Sequence, residues 1–160
     1  MSEPVIRTAT PADIPLILNF IRELAVYEKL AHEVETDAAM IERTLFGDGA
    51  KSCCLIGEID GKAAGFAVYF YNYSTWLGRY GIYLEDLYVP PEYRGQGAGK
   101  ALLVHIARIA VAEGCGRFEW SVLDWNTPSI EFYKSLGAVE MSEWRIYRVA
   151  GDALRKLADS

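Results

Sequence analysis

The chain has 160 residues, of which 51% are hydrophobic and 24% charged. This length and composition predict one globular domain over residues 1–160 with a sizeable core. The formal net charge of −6 gives no electrostatic footprint for nucleic acid or an anionic membrane surface, so we expect neither as a partner. No apolar run approaches the roughly 20 residues of a membrane span, and residues 1–4 do not resemble a secretory signal.

The first half of the chain alternates strand-like and helix-like patterns. Residues 5–7 are typical of a short strand. Thr10 then offers an N-cap with Pro11 at the first helical position, and apolar residues at helical spacing predict a helix to about residue 28. Thr36 is expected to cap a second helix that ends near residue 46.

The second half begins with a strong hairpin signal. Residues 52–59 and 62–73 flank Asp60-Gly61, a dipeptide typical of two-residue hairpin turns. A loop over residues 74–80 and a long strand over 81–89 are expected next. The remaining predicted elements are a helix over 101–112, a strand over 117–122, a helix over 127–136, a strand over 144–149 and a helix over 152–158. This order predicts an α+β fold around one mixed sheet.

Cysteine and histidine usage bears on the compartment and on metals. The chain has three cysteines, an odd number: Cys53, Cys54 and Cys115. Cys53 and Cys54 are adjacent in a predicted strand, where neighbouring side chains point to opposite faces. They indicate buried thiols of a reduced, cytoplasmic protein. His32 and His105 lie far apart, and no cluster has metal-ligand spacing, so we expect no metal.

The most informative segment joins the strand over residues 81–89 to the following helix through a Gly-rich turn. Such a turn presents backbone N–H groups to an anion, and the helix N-terminus adds a positive dipole end. A Walker loop does not fit, because Arg94 stands where its first Gly should be and Ala101 where its hydroxyl should be. The dinucleotide fingerprint also fails, because its third Gly would fall on Lys100. An ordinary strand-to-helix connection remains the alternative.

The pattern Arg-x-x-Gly-x-Gly formed by Arg94, Gly97 and Gly99 does fit, and it resembles the acyl-CoA pyrophosphate loop of the GNAT superfamily of N-acetyltransferases. Nearly the whole chain is similar to the spermidine/spermine and thialysine N-acetyltransferase group of that superfamily. The other blocks that carry this resemblance are Glu23-Leu24-Ala25 with Tyr27-Glu28, Tyr83-Leu84-Glu85-Asp86, and Trp125-Asn126 through Phe132-Tyr133-Lys134. It implies a GNAT-like single domain, whose central mixed, mostly antiparallel sheet has helices on both faces. It also implies acetyl-CoA as co-substrate, a primary amine as acceptor, and a homodimer.

The reaction so implied needs a base and an acid. A primary amine with a pKa of about 10.4 requires roughly 4.6 kcal/mol to become neutral at pH 7. Glu85, a carboxylate in an otherwise apolar strand, is the candidate general base acting through a water. Tyr133, a phenol that is neutral at pH 7, is the candidate general acid. The alternatives are a carboxylate merely tolerated in the strand and a core aromatic beside Phe132. Since Cys53 and Cys54 have no adjacent His, we expect direct transfer without an acyl-enzyme.

The cofactor residues follow from the loop and from the resemblance. Leu87, Tyr88 and Val89 should offer backbone groups to the pantetheine arm, as an added strand would. The diphosphate should be held by Arg94, Gly95, Gln96, Gly97, Ala98, Gly99 and Lys100. The resemblance adds Asn126, Ser129 and Leu136, although Asn126 is equally explained as a helix N-cap.

The acceptor site is implied by the resemblance alone. The residues that align with it are Tyr27, Glu28, Glu85, Asp86, Glu119, Trp120 and Glu143. Several carboxylates around one opening favour a small di- or polycationic amine, and thialysine or another small diamine is as consistent with them as a polyamine. Three roles are open for Trp76: it lines the acceptor side, fills a hydrophobic space within the fold, or contacts a second subunit. A CoA-binding sensor without catalysis and an acetyltransferase acting on a protein amine are the alternative functions.

Overall fold

The structure, a computed structural model, describes residues 2–160. It divides into two compact units, the first ending at Ser121 and the second running from Val122 to Ser160. The first unit contains a five-stranded sheet, and the second contains two helices. No helix in the described part of the chain is long and apolar enough to cross a membrane.

The sheet places its strands side by side in chain order. They are β1 (Val5–Thr8), β2 (Ser52–Ile59), β3 (Lys62–Ser74), β4 (Arg79–Tyr88) and β5 (Phe118–Trp120). The first four pair antiparallel, and β4 pairs with β5 in parallel. The predicted mixed, mostly antiparallel sheet is therefore confirmed, as is the hairpin at Asp60-Gly61, where both residues have positive φ.

Helices cover both faces of this sheet, as expected. The helices of the first unit are α1 (Ile14–Tyr27), α2 (Ala38–Leu45) and α3 (Ala98–Ala112). Ile17, Phe20 and Ile41 of α1 and α2 pack in one core cluster with Ile56 and Phe66 of the sheet. On the opposite face Leu102 of α3 packs over Gly57 and Gly65, because successive residues of a strand point to opposite sides.

The start of α1 is fixed by a carboxylate that folds back on the chain. Thr10 begins a short 3-10 turn, Pro11–Asp13, that leads directly into α1. Asp13 accepts two hydrogen bonds from the Arg7 guanidinium, at 2.7 and 2.8 Å, and one from the Thr10 amide at 2.8 Å. Arg7 and these contacts hold the pKa of Asp13 down at about 2.

Two predicted features of the first unit need correction. Asp37 rather than Thr36 caps α2, because its carboxylate accepts a hydrogen bond from the Met40 amide at 2.8 Å. A charged oxygen one residue nearer the helix is the stronger cap. The strand expected over residues 117–122 is shortened to Phe118–Trp120, since β5 follows β4 only from Ile82 to Leu84.

The second unit contains α4 (Thr127–Ser135) and α5 (Gly151–Ala158). Asn126 caps α4, its Oδ1 accepting from the Ser129 amide at 3.4 Å, as the N-cap interpretation predicts. The strand expected over residues 144–149 is wrong, because that segment has no regular secondary structure. Its alternating sequence suits a strand, but a strand also needs a partner for its backbone groups, which the pattern cannot supply.

Candidate active site

Glu85 occupies a β-bulge in β4. The β3–β4 register runs from Tyr69 opposite Leu84 to Val68 opposite Asp86, so Glu85 is the extra residue. A bulge interrupts the strict alternation of side chains and re-aims those beside it. Without a bulge, the adjacent side chains of Glu85 and Asp86 would point to opposite faces of the sheet.

The bulge brings Glu85 and Asp86 into electrostatic contact with Glu28, which follows the last residue of α1. Burial, together with the charges of Glu85 and Glu28, raises the pKa of Asp86 to about 6. Burial and the charge of Glu85 also raise the pKa of Glu28. Because the charge of Glu85 contributes to both shifts and that of Glu28 to the shift of Asp86, the three carboxyl groups lie near one another,. Glu28, Glu85 and Asp86 form what we call the acidic cluster.

Beyond the bulge, β4 has one paired edge and one open edge. Its pairing with β3 continues to Tyr88, whereas its parallel pairing with β5 ends at Leu84. Within residues 2–160 no strand follows β4 on the β5 side past that point. Backbone groups of Leu87 and Tyr88 are therefore placed where an extended ligand could add as a strand.

The Gly-rich turn has the geometry that a diphosphate requires. A 3-10 turn, Pro91–Tyr93, precedes it, and Gly95 and Gly97 adopt φ values of +80° and +89°. A Cβ at Gly95 would meet no atom within 4 Å, so positive φ rather than crowding calls for glycine there. Gly97 is the N-cap of α3, whose first-turn amides have no partner within the helix. These features fit the diphosphate of CoA.

The basic residues of the loop differ in their surroundings. Lys100 lines an open groove beside α3 together with Gly97, Arg108 and Glu3, so two cations and one carboxylate lie next to the turn. Arg94 instead packs on aromatic rings. Its guanidinium carbon lies 5.2 Å from the centre of the Tyr27 ring and 5.8 Å from that of Tyr88.

The expected acceptor residues of β5 lie in a different environment from the acidic cluster. Glu119 forms an ion pair with Arg117 Nε at 3.0 Å and accepts a hydrogen bond from Asn72 at 3.3 Å. Its charge is therefore already compensated. Trp120 is half-buried, and its ring centre lies 4.9 Å from that of Phe118.

The expected site residues of the second unit are carried by α4 and the segment after it. Asn126 is buried at the start of α4, and Tyr133 is half-buried, with its ring 5.7 Å from that of Phe132. Leu136 caps the C-terminal end of the helix. Glu143 is exposed in a turn.

A protein-family match identifies the family of this chain. Residues 18–138 match the Acetyltransferase (GNAT) family, which is more than half of the chain. The chain therefore belongs to the GNAT acetyltransferases, and the resemblance drawn from its motifs is confirmed. It is an acetyltransferase, and members of this family use acetyl-CoA as co-substrate.

Individual relatives narrow the group. The chain is 41% identical to a thialysine N-epsilon-acetyltransferase of Sus scrofa, and the match covers 99% of each chain. It is 32% identical to an L-ornithine N5-acetyltransferase of Arabidopsis thaliana over 95% of this chain and 86% of the relative. The fold matches an integron cassette protein from the mobile metagenome of V. cholerae with a TM-score of 0.83 and 28% identity, covering 100% of this chain and 99% of the other.

One feature of the site had no counterpart in the sequence interpretation. The packing of Arg94 between Tyr27 and Tyr88 joins residues from α1, β4 and the Gly-rich turn. Tyr27 and Arg94 are distant in sequence, and neither lies in a local pattern that implies the other. Only the tertiary fold brings them together.

Proposed function

We propose that this protein transfers the acetyl group of acetyl-CoA directly to the terminal primary amine of a small cationic acceptor, such as thialysine or a related diamine or polyamine. The observation that carries this proposal is the acidic cluster at the β4 bulge. The same strand leads through the 3-10 turn Pro91–Tyr93 into the Gly-rich turn. The strand would therefore attract a cation at its bulge, and the turn that follows it would bind a diphosphate.

The binding of acetyl-CoA is assigned to two parts of the first unit. The turn from Arg94 to Lys100 would hold the diphosphate through backbone amides of Gly95 to Gly99, and the groove lining of Lys100 supports a positive field there. The open edge of β4 at residues 87–89 would pair with the pantetheine arm. From the resemblance we add Asn126, Ser129 and Leu136 toward the thioester end.

Proton transfer is assigned to Glu85 and Tyr133. As the amine nitrogen bonds to the acetyl carbon, the carbon–sulfur bond breaks. Glu85 would accept the amine proton through a water, and the Tyr133 hydroxyl would donate a proton to the departing sulfur. The placement of Glu85 in the acidic cluster supports its role, whereas the role of Tyr133 rests on the resemblance and on family membership.

The acceptor carries more than one positive charge in this proposal. Glu28, Glu85 and Asp86 together attract a cation, and burial with the charges of neighbouring carboxylates raises the pKa values of Glu28 and Asp86. The names of the relatives give thialysine and the N5 amine of ornithine as acceptors. Thialysine and ornithine are both amino acids with a second, terminal amine. Glu119, Trp120 and Glu143 remain proposed contacts on the resemblance alone.

The assembly and compartment are proposed more broadly. We propose a homodimer in the cytoplasm. The family resemblance supports the dimer, as does the β3–β4 connection, where Trp76 is 87% exposed. The three cysteines are free thiols, which supports a reducing compartment. Sedimentation of the purified protein tests the dimer directly.

The test of the reaction is release of CoA thiol from acetyl-CoA with an amine panel of thialysine, ornithine, spermidine and putrescine. We expect turnover with at least one, and mass spectrometry should find the acetyl group on a terminal amine. Tyr133→Phe should lower kcat by about 100-fold with little change in CoA affinity, and Tyr147→Phe, an exposed tyrosine of the same unit, is the matched control. Tight CoA binding without turnover on any amine or peptide would refute the proposal.

A further inference from the structure

The Arg94 side chain contacts three separate elements at once. Its guanidinium lies over the rings of Tyr27, the last residue of α1, and Tyr88, the last residue of β4. Its Nε donates a hydrogen bond of 2.9 Å to the carbonyl of Val89. Arg94 itself opens the Gly-rich turn. One side chain therefore ties the end of a helix and the end of a strand to the start of the loop.

A guanidinium can make these contacts at the same time more readily than an ammonium can. A planar cation can stack on an aromatic face while its in-plane Nε–H reaches a carbonyl, and a lysine ammonium has neither the plane nor that N–H. Lysine would keep the charge but lose the arrangement. Arginine therefore suits this position through the planar shape of its side chain as well as through its positive charge.

The Arg94 stack lies between the two halves of the proposed site. Glu28 of the acidic cluster directly follows Tyr27, and Asp86 of the cluster precedes Tyr88 by two positions on β4. On the other side, Gly95 directly follows Arg94 and begins the segment proposed to hold the diphosphate. Movement of the loop must therefore act on the residues that carry the acidic cluster.

We propose that Arg94 is a positioning residue that couples the diphosphate loop to the acceptor site through its stack with Tyr27 and Tyr88, an inference that rests on the proposed function. Binding of CoA to the loop fixes Arg94, and the stack then fixes the end of α1 where Glu28 and Tyr27 lie. Since such coupling is reciprocal, changes at Tyr27 must weaken CoA binding although Tyr27 is not assigned any contact with the diphosphate.

The experiment compares Arg94→Lys, Tyr27→Leu and Tyr27→Phe. Calorimetry measures CoA affinity, and steady-state kinetics measure kcat and the acceptor KM. We expect Arg94→Lys and Tyr27→Leu each to weaken CoA binding and to raise the acceptor KM by about tenfold, with kcat changed by less than about threefold. Tyr27→Phe keeps the ring and should restore the CoA affinity, which is the value that reports on the stack. The double variant Arg94→Lys/Tyr27→Leu should be no worse than Arg94→Lys alone, because both changes remove one interaction.

The control is Arg22→Lys, which changes an exposed arginine on α1 and should leave every value as in the wild type. Wild-type CoA affinity in Arg94→Lys would show that only the charge matters, and unchanged CoA affinity in Tyr27→Leu would remove the coupling; either overturns the inference. If Arg94→Lys folds poorly, Tyr27→Leu decides alone. If the wild-type protein acetylates no amine, the proposed function fails, while the calorimetric arm still decides whether the stack controls the loop.

Discussion

The carboxyl groups at the two ends of α1 have pKa values shifted in opposite directions. At its start, Asp13 is held by two hydrogen bonds from Arg7 and one from the Thr10 amide, and its pKa falls to about 2. At its end, Glu28 lies near Glu85 and Asp86, and burial and repulsion raise the pKa of Asp86 to about 6. The carboxylate at the start of α1, Asp13, is therefore stabilised in its charged form, and the one at its end, Glu28, is destabilised.

This difference separates a carboxylate that is paired within the fold from carboxylates that are not. The fold supplies its own cation at Asp13, where the charge only has to anchor a helix. At the acidic cluster burial and the charges of neighbouring carboxylates raise the pKa values of Asp86 and Glu28, a cost that brings no benefit to the fold alone. Such a cost is expected where a ligand provides the compensating charge. The comparison predicts that changes at the start of α1 alter stability, whereas changes at its end alter function.

The largest effect is expected at Glu85. Glu85→Gln keeps the size of the side chain and removes the proposed base, so kcat should fall by about 100-fold while CoA affinity and the melting temperature change little. Stopped-flow or steady-state thiol release measures this directly. Glu42→Gln, an exposed carboxylate on α2, is the matched control. Turnover within a few-fold of the wild type would remove Glu85 from proton transfer.

The next largest effect is on stability at Asp13. Asp13→Asn should lower the free energy of unfolding by about 2 kcal/mol at pH 7, since the carboxyl pKa falls from 3.8 to about 2 on folding,. A lowered folded-state pKa gives stability that is present above the unfolded value and lost as pH falls toward 2. Urea unfolding should therefore show the two proteins converging as pH is lowered through that range.

The kinetics of the same variant sharpen the comparison. The kcat of folded Asp13→Asn should equal that of the wild type, because the residue anchors the helix start rather than the reaction. A large loss of kcat in fully folded protein would show that the two ends of α1 are not separate in function.

How far the sequence predicts this molecule depends on the range of the interaction. The hairpin at Asp60-Gly61 and the Gly95–Gly97 turn follow from local backbone demands, so their sequence signals were sufficient. Thr36 failed as a cap because two adjacent residues could serve and only the folded geometry selects Asp37. The strand over residues 144–149 failed because pairing is not local.

The site shows the same division. Glu85, Asp86 and Glu28 were each expected as acceptor residues from resemblance, but no residue pattern specified the bulge at Glu85 or the raised pKa values of Glu28 and Asp86. The stack of Arg94 on Tyr27 had no sequence signal at all, because it joins distant elements. Motifs thus gave the candidate site residues, and only the tertiary structure showed how several of them interact.

A smaller effect of opposite sign is expected at Asp86. Its carboxyl pKa rises from 3.8 to about 6 on folding, so ionisation destabilises the fold, and stability falls as pH rises from about 4 to about 6. Asp86→Asn should therefore raise the free energy of unfolding at pH 7.5 by about 1 kcal/mol, part of the roughly 3 kcal/mol that the shift implies. At pH 4 the gain should vanish in thermal melts. A variant that is less stable at both pH values would contradict the assigned repulsion.

The smallest effect is expected at Glu28, and it tests whether the acidic cluster recognises charge. Glu28→Gln removes one negative charge next to the proposed cation site, which is worth roughly 1 kcal/mol, or about a fivefold rise in acceptor KM. The rise should be larger for a dication such as putrescine than for a monoamine of the same length, and should shrink in high salt, because screening weakens the interaction. CoA affinity should stay constant.

The pKa of Asp86, followed by NMR, should fall in the Glu28→Gln variant, because the charge of Glu28 contributes to raising it. An equal KM change for both amines at all salt concentrations would mean that Glu28 acts through packing, and the contrast between the two ends of α1 would then rest on Glu85 and Asp86 alone.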